Sequence, residues 1–265
     1  MNRIIFHIDV NSAFLSWSAL QLLKENPNSV DIRTIPSIIG GNQETRHGIV
    51  LAKSISAKKL YQIQTAEPVA SAMKKCPILT IVPPDHQLYS RCSKQFINFL
   101  KTLTPDIEQV SIDECFLDFT GIAHRFSSPE DGAAYIRNYI YNHFGFTVNI
   151  GISTNKLLAK MASDFEKPNK THTLYPYEIQ QKMWPLPVSS LYMCGKSSVE
   201  ELRKLEILTI GDLARANPDI ICLHLKSHGR LLWEYANGMD NSTVEAIPES
   251  AKGADHRGDH RMRFR

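Results

Sequence analysis

Three short β-rich segments stand far apart in the chain: RIIFHID at 3–9, IEQVSIDECFLDF at 107–119 and TVNIGIS beginning at 147. Each is dense in β-branched and aromatic residues and is bounded by turn or helix signals, so each reads as a buried strand. Helical stripes lie between them, including Phe14, Leu15, Trp17 and Leu20 after the first, and Leu88, Cys92, Phe96, Phe99 and Leu100 before the second. Strands this distant, joined by helices in an irregular order, predict an α+β fold: mixed or antiparallel sheet with packed helices, interrupted by a small α/β insertion at 18–80. Beyond Pro168 the pattern turns all-helical, with Val199, Leu202 and Leu205 at helical spacing and a Thr209 cap before IGDLARA.

The second segment carries SIDEC at 111–115, with Asp113 and Glu114 adjacent. Neighbours on a regular strand point to opposite faces, so both acids reach one site only where the chain bends. A tight β-hairpin turning near 111–114 is expected. Two solvated turn acids are the plainer alternative. Asp9 adds weight to the site, because it ends the first strand where a helix begins, with Asn11 or Ser12 available as its cap. Three carboxylates drawn from two distant segments are costly unless cations neutralise them. Hard divalent ions with oxygen ligands do so, and Mg²⁺ works through carboxylates and substrate phosphates together. Two such ions about 3.5–4 Å apart suit phosphoryl transfer.

The 265 residues suffice for two or three small domains. A net charge of +3 permits a polyanionic partner without requiring one. Five scattered cysteines without a CxxC pair indicate neither zinc nor disulfides, which fits a reduced, cytoplasmic chain. No apolar run approaches the roughly 20 residues that span a bilayer, and the first residues do not read as a signal peptide. A monomer without membrane contact is expected. ADHRGDHRMRFR closes the chain with no apolar face, and 245–265 is expected to be disordered.

HIDVNSAFLSW, SIDECFLDFTG and NIGISTNKLLAKMASDFEKPN resemble, in order and spacing, the three signature segments of Y-family translesion DNA polymerases, most closely the DNA polymerase IV (DinB) group. The resemblance runs to about residue 244. It implies an error-prone, template-directed DNA polymerase that uses two Mg²⁺ ions, with primer-template DNA and deoxynucleoside triphosphates as partners. Asp9, Asp113 and Glu114 would be the catalytic, metal-holding acids, and the Val10 carbonyl would complete the second metal site. Backbone amides of Asn11, Ser12, Ala13 and Phe14 would hold the triphosphate. Phe14 would be the steric gate against ribonucleotides. Lys167 would reach the triphosphate from the K-P-N segment, with Lys156 and Lys160 as weaker candidates. Ala52, Ser54 and Ser56 would roof the nascent base pair. The implied domains are a palm at 1–17 and 81–166, fingers at 18–80, and a helix-hairpin-helix thumb at 167–244.

Two departures from the family stand out. Where the family often reads Y-E-A-R above the triphosphate, this chain reads I-S-A-K, with Ile55 for the tyrosine and Lys58 for the arginine. Lysine still supplies charge, as a point cation. Isoleucine cannot donate a hydrogen bond, and Ser54 is the expected substitute. The thumb hairpin, P-G-V-G-K in the family, is YMCGK here, leaving Gly195 and Lys196 for DNA phosphate contacts and one glycine replaced by Met193. The family's fourth domain, the little finger, and the sliding-clamp-binding peptide are expected to be absent, with weaker DNA binding as the result. A catalytically idle DNA-binding remnant and a palm-fold nucleotide cyclase are the rival readings. Cyclases lack SIDE followed by KPN.

Overall fold

The computed structural model describes residues 3–41 and 48–246; of the expected disordered tail, 247–265 lies outside the described residues. The elements in chain order are β1 (Ile5–Val10), α1 (Ala13–Glu25), β2 (Ser37–Gly40), β3 (Val50–Lys53), α2 (Ile55–Tyr61), α3 (Val69–Lys75), β4 (Thr80–Val82), α4 (His86–Lys101), β5 (Ile107–Gln109) and β6 (Glu114–Asp118). They continue with α5 (Pro129–Phe144), β7 (Val148–Ser153), α6 (Lys156–Ser163), β8 (Thr171–Thr173), α7 (Ile179–Lys182), α8 (Lys196–Lys204), α9 (Ile210–Arg215) and α10 (Pro218–Ala236).

The main sheet has the order β5-β6-β1-β7-β8. β1 is its centre and is antiparallel to both neighbours. Side chains alternate across a strand, and here the alternation sorts chemistry. Phe6, Ile8 and Val10, with Cys115, Leu117, Val148, Ile150 and Ile152, enter one apolar core with Trp17, Tyr89, Phe96, Leu100, Ile136 and Ile140 of the covering helices. The intervening positions, His7, Asp9, Glu114 and Asn149, fall on the opposite face. One helix, α6, is the element packed most closely on that face.

α6 can approach because Gly151 is a glycine. A Cβ built there would stand 1.9 Å from the Ala159 carbonyl oxygen and 2.5 Å from the Ser163 nitrogen. The same helix turns Leu157, Leu158 and Met161 to the C-terminal helices, whose core is formed by Leu202, Ile210, Leu213, Ile221 and Leu232. α6 therefore belongs to two cores at once. It ends at Ser163, although its apolar pattern predicts a run to Lys167. The reason is remote in sequence. The buried Asn149 amide donates to the Ser163 and Glu166 carbonyls at 3.0 and 2.7 Å, turning the chain off the helix axis.

The smaller sheet, β3-β2-β4, packs Ile38 and Val50 against Ala57, Val69 and Ala72 of α2 and α3. β2 is only four residues long and follows a proline, so the segment reads as polar and irregular in sequence. After α10 the chain returns along the main body. Asn155 donates to the Gly238 carbonyl, Asp240 accepts from the Leu157 amide, and Glu108 accepts from the Glu245 amide. Among the described residues no helix is long and apolar enough to cross a membrane.

A Gly151→Ala substitution should cost about 3 kcal/mol or more, because its methyl group meets backbone that cannot rotate away. Urea unfolding should show a lowered midpoint at unchanged slope.

Candidate active site

A cleft of about 490 Å³ opens where the end of β1, the start of α1, the β3–α2 junction and the loop after α6 meet. Asp9, Asp113, Phe14, Lys58 and Lys167 all line it. The expected hairpin is present. β5 and β6 are antiparallel, and the chain turns between Gln109 and Glu114. β6 then pairs with β1 so that Glu114 lies directly opposite Asp9, while the Val10 amide donates to the Asp113 carbonyl at 2.9 Å. Directly opposed cross-strand residues have Cβ atoms about 5 Å apart. Three acids from two segments more than a hundred positions apart thus share one strand end.

Their environments differ. Asp113 accepts a 2.6 Å hydrogen bond from the Ser111 hydroxyl. Burial nonetheless pushes its carboxyl above the usual range, and the charges of Asp9 and Glu114 add to the rise. Glu114 turns back under the sheet. Its Oε2 lies 3.4 Å from His7 Nε2 and 2.9 Å from Lys160 Nζ, and these contacts, His7 first, hold its carboxyl down at about 2 despite burial. His7 is fully buried, which lowers its pKa, and its Nδ1 lies 2.8 Å from the Ser163 hydroxyl. Asp9 is ion-paired to Lys167, which also binds Asp164 at 2.9 Å.

As the side chains stand, no group of three or more His, Cys, Asp and Glu among the described residues is arranged about one metal position. The donor chemistry still fits hard cations. The acids offer only oxygen, they repel one another, and two have drawn an ammonium group onto themselves.

Lys167 is placed by a pair of buried asparagines that composition alone does not reveal. Asn11 Oδ1 accepts from the Asn169 amide at 2.8 Å and from the Thr147 hydroxyl at 3.0 Å, and Asn11 Nδ2 donates to Asn149 Oδ1 at 3.1 Å. Asn149 Oδ1 also accepts from the Lys170 amide at 3.2 Å, and its amide group takes the two carbonyls described above. Segment 166–170 is thereby fastened over the end of β1. Asn11 spends its side chain on this task and does not cap α1. Ser12, in the left-handed region at φ 47°, does not cap it either. Asn11, Ser12, Ala13 and Phe14 all line the cleft at this uncapped N-terminus. The Asn11 amide, expected to hold a triphosphate, instead donates to the Thr147 carbonyl at 2.9 Å, and it is the first amides of α1 that favour an anion.

Phe14 stacks on Tyr89 with ring centroids 4.4 Å apart and planes 14° from parallel. The Tyr89 hydroxyl is 2.9 Å from the Ser18 hydroxyl, so the stack is anchored at its far end. Tyr89 is one position from the apolar stripe of α4 and carried no signal of its own. Ser54 lines the cleft, but its hydroxyl is committed. It accepts from the Ser37 and Ala57 amides, both at 3.1 Å, and contacts the Ser56 hydroxyl at 3.0 Å. A serine hydroxyl has one proton and two lone pairs, so nothing is left for the role expected of it beside Ile55. Lys53, absent from the sequence-based expectation, lines the cleft next to Lys58 and Lys59.

Lys160 reaches Glu114 from behind the cleft. Lys156 faces away from the acids and pairs with Glu108 at 2.7 Å. Gly195 and Lys196 lie at the uncapped start of α8. Met193, standing where the family has glycine, holds φ at 67°, a region that disfavours a side chain.

Comparison with known proteins converges on one family. The sequence pattern of the impB/mucB/samB family matches residues 8–164. The chain is 52% identical over 252 residues to the protein named DNA polymerase IV of Clostridium acetobutylicum, covering 95% of this chain and 63% of that one. It is 39% identical over 253 residues to the DNA polymerase IV of Alkaliphilus oremlandii, covering 95% and 62%. It therefore spans less than two thirds of the length of these relatives. Among solved structures, DinB from Sulfolobus solfataricus superposes with a TM-score of 0.79 at 26% identity, over 92% of this chain and 69% of that one. A Y-family DNA polymerase chimera gives 0.80 at 24%, over 93% and 70%. The architecture is that of the Y-family catalytic core, and the chain belongs to the impB/mucB/samB family.

Proposed function

We propose that this chain carries the catalytic part of a template-directed DNA polymerase of the translesion type. Residues 1–17 and 81–166 would serve as palm, 18–80 as fingers and 167–244 as thumb. The observation that carries the reading is the meeting, in one cleft, of Asp9 and Asp113 with the uncapped start of α1 and the ammonium groups of Lys58 and Lys167. Carboxylates and anion-binding groups on facing walls suit a reaction between a hydroxyl and a polyphosphate. Relatives named DNA polymerase IV favour this reading over a cyclase or an idle remnant.

In the proposed reaction a primer 3′-hydroxyl attacks the α-phosphorus of a deoxynucleoside triphosphate and pyrophosphate leaves. Asp9, Asp113, Glu114 and the Val10 carbonyl would hold two Mg²⁺ ions. When bound, such ions offset charge on the attacking and leaving oxygens. The amides of Ser12 to Phe14 grip the triphosphate, and Lys58 and Lys167 balance the charge that grows on the leaving pyrophosphate. Phe14 meets the sugar, with Tyr89 keeping the ring from yielding to a 2′-hydroxyl. The backbone amide of Lys196, at the start of α8, takes a DNA phosphate, while the Gly195 amide is turned to the Met193 carbonyl at 3.1 Å. Primer-template DNA and deoxynucleotides are the partners, and the working form is a cytoplasmic monomer.

Primer extension with Mg²⁺ tests the reading directly. Asp113→Asn should lower extension at least about 100-fold while leaving thermal stability equal or higher, since one of three like charges is gone. Activity within tenfold of the parent chain would remove Asp113 from the site. Phe14→Ala should raise ribonucleotide incorporation, relative to deoxynucleotides, by roughly two orders of magnitude. An unchanged ratio in single-nucleotide insertion would take the gate role away from Phe14.

A further inference from the structure

Lys53, like Lys59, is a charged group of the cleft that the mechanism leaves without a task. It is the last residue of β3 and immediately precedes Ser54, the N-cap of α2. Its ammonium donates to the Thr65 hydroxyl at 2.6 Å, and Thr65 also lines the cleft. The nearest carboxylate that acts on it, Glu67, is itself engaged by Lys75 at 2.5 Å. Burial pushes the Lys53 pKa down, and the positive charge of Lys58 pushes it further in the same direction. Two ammonium groups of one wall thus repel each other, and Glu67, shared with Lys75, offsets this only in part. Among the described residues, four lysines line this cleft against two aspartates. The charge is also segregated along β3. Leu51 and Ala52 present an apolar wall, and the cations begin at Lys53, at the end nearest Lys58.

The neighbouring residues leave a donor position open on that wall. Ile55, in the place of the family's tyrosine, is half-exposed and aliphatic. Ser54 has no free hydrogen-bonding capacity. We propose that Lys53, steadied by Thr65, is a polyphosphate ligand that binds the terminal phosphate of the incoming nucleotide in place of the phenol that Ile55 lacks. The inference rests on the reading of the cleft as a nucleoside triphosphate site. An ammonium on a flexible four-carbon stem spans about the same distance as a phenol, and it supplies full charge where the phenol supplies a neutral donor. Lys53 and Lys58 together then offer the terminal phosphate two point cations instead of a phenol and a guanidinium fork.

The test uses the whole chain and two probes: inorganic tripolyphosphate, measured by calorimetry, and deoxynucleoside triphosphates, measured by steady-state insertion. Lys53→Met should weaken tripolyphosphate binding about tenfold and raise KM for all four deoxynucleotides by a similar factor, more than it lowers kcat. Lys53→Arg should recover most of the loss. Thr65→Val should fall between, because the ammonium stays but its anchor is gone. An unchanged tripolyphosphate affinity in Lys53→Met, with parent-like melting, would overturn the proposal. So would a changed preference among the four bases with no change in tripolyphosphate binding, which would move Lys53 from the phosphate to the base. If the parent chain itself binds neither tripolyphosphate nor nucleotide, the triphosphate reading of the cleft fails, and this proposal fails with it.

Discussion

The pairing of β1 with β6 fixes everything that the cleft does. Its register puts Glu114 opposite Asp9 and ties Asp113 to Val10 through a backbone hydrogen bond. A slip of one residue would turn Asp9 and His7 into the apolar core and Ile8 out of it, so the burial of Phe6, Ile8, Cys115 and Leu117 enforces the arrangement of the acids. The hydrophobic face thereby holds together an electrostatic arrangement that would fly apart on its own. Opposed carboxylates oppose folding, and the protein offsets this locally with Lys160 and Lys167.

α6 transmits that order to the rest of the molecule. Its small residues lie on β7, its large apolar residues enter the C-terminal core, and its lysines serve two separate carboxylates. The segment that follows α10 binds back onto its first turn and onto Glu108. The C-terminal helices are consequently held through the same helix that braces the acids. Hairpin and site share one support.

Much of this was legible in the residues. β-branched density gave β1, the β5–β6 hairpin and β7. Spacing gave α1, α4 and α8, and the Thr209 capping box marked α9. The convergence of Asp9 with Asp113 and Glu114 was implied by the resemblance of HIDVNSAFLSW and SIDECFLDFTG to the family's signature segments. What escaped was non-local. α6 stops at Ser163 because a side chain fourteen residues earlier captures its carbonyls. Ser54 is occupied by an amide from β2, a strand too short and too polar in context to announce itself. Tyr89 matters through its stack on a residue seventy-five positions away, a relation that no helical stripe encodes. Lys53 and Thr65 meet only because the small sheet folds them together.

The fastening of 166–170 by Asn11 and Asn149 uses neutral amides throughout. Dissolved salt weakens attraction between separated charges but leaves buried, uncharged hydrogen bonds almost untouched. The part of the Lys167 segment's anchoring that Asn11 and Asn149 supply is thus indifferent to ionic strength, whereas the part supplied by the Arg137 guanidinium on Asn169 and by the ion pair of Lys167 with Asp164 is not.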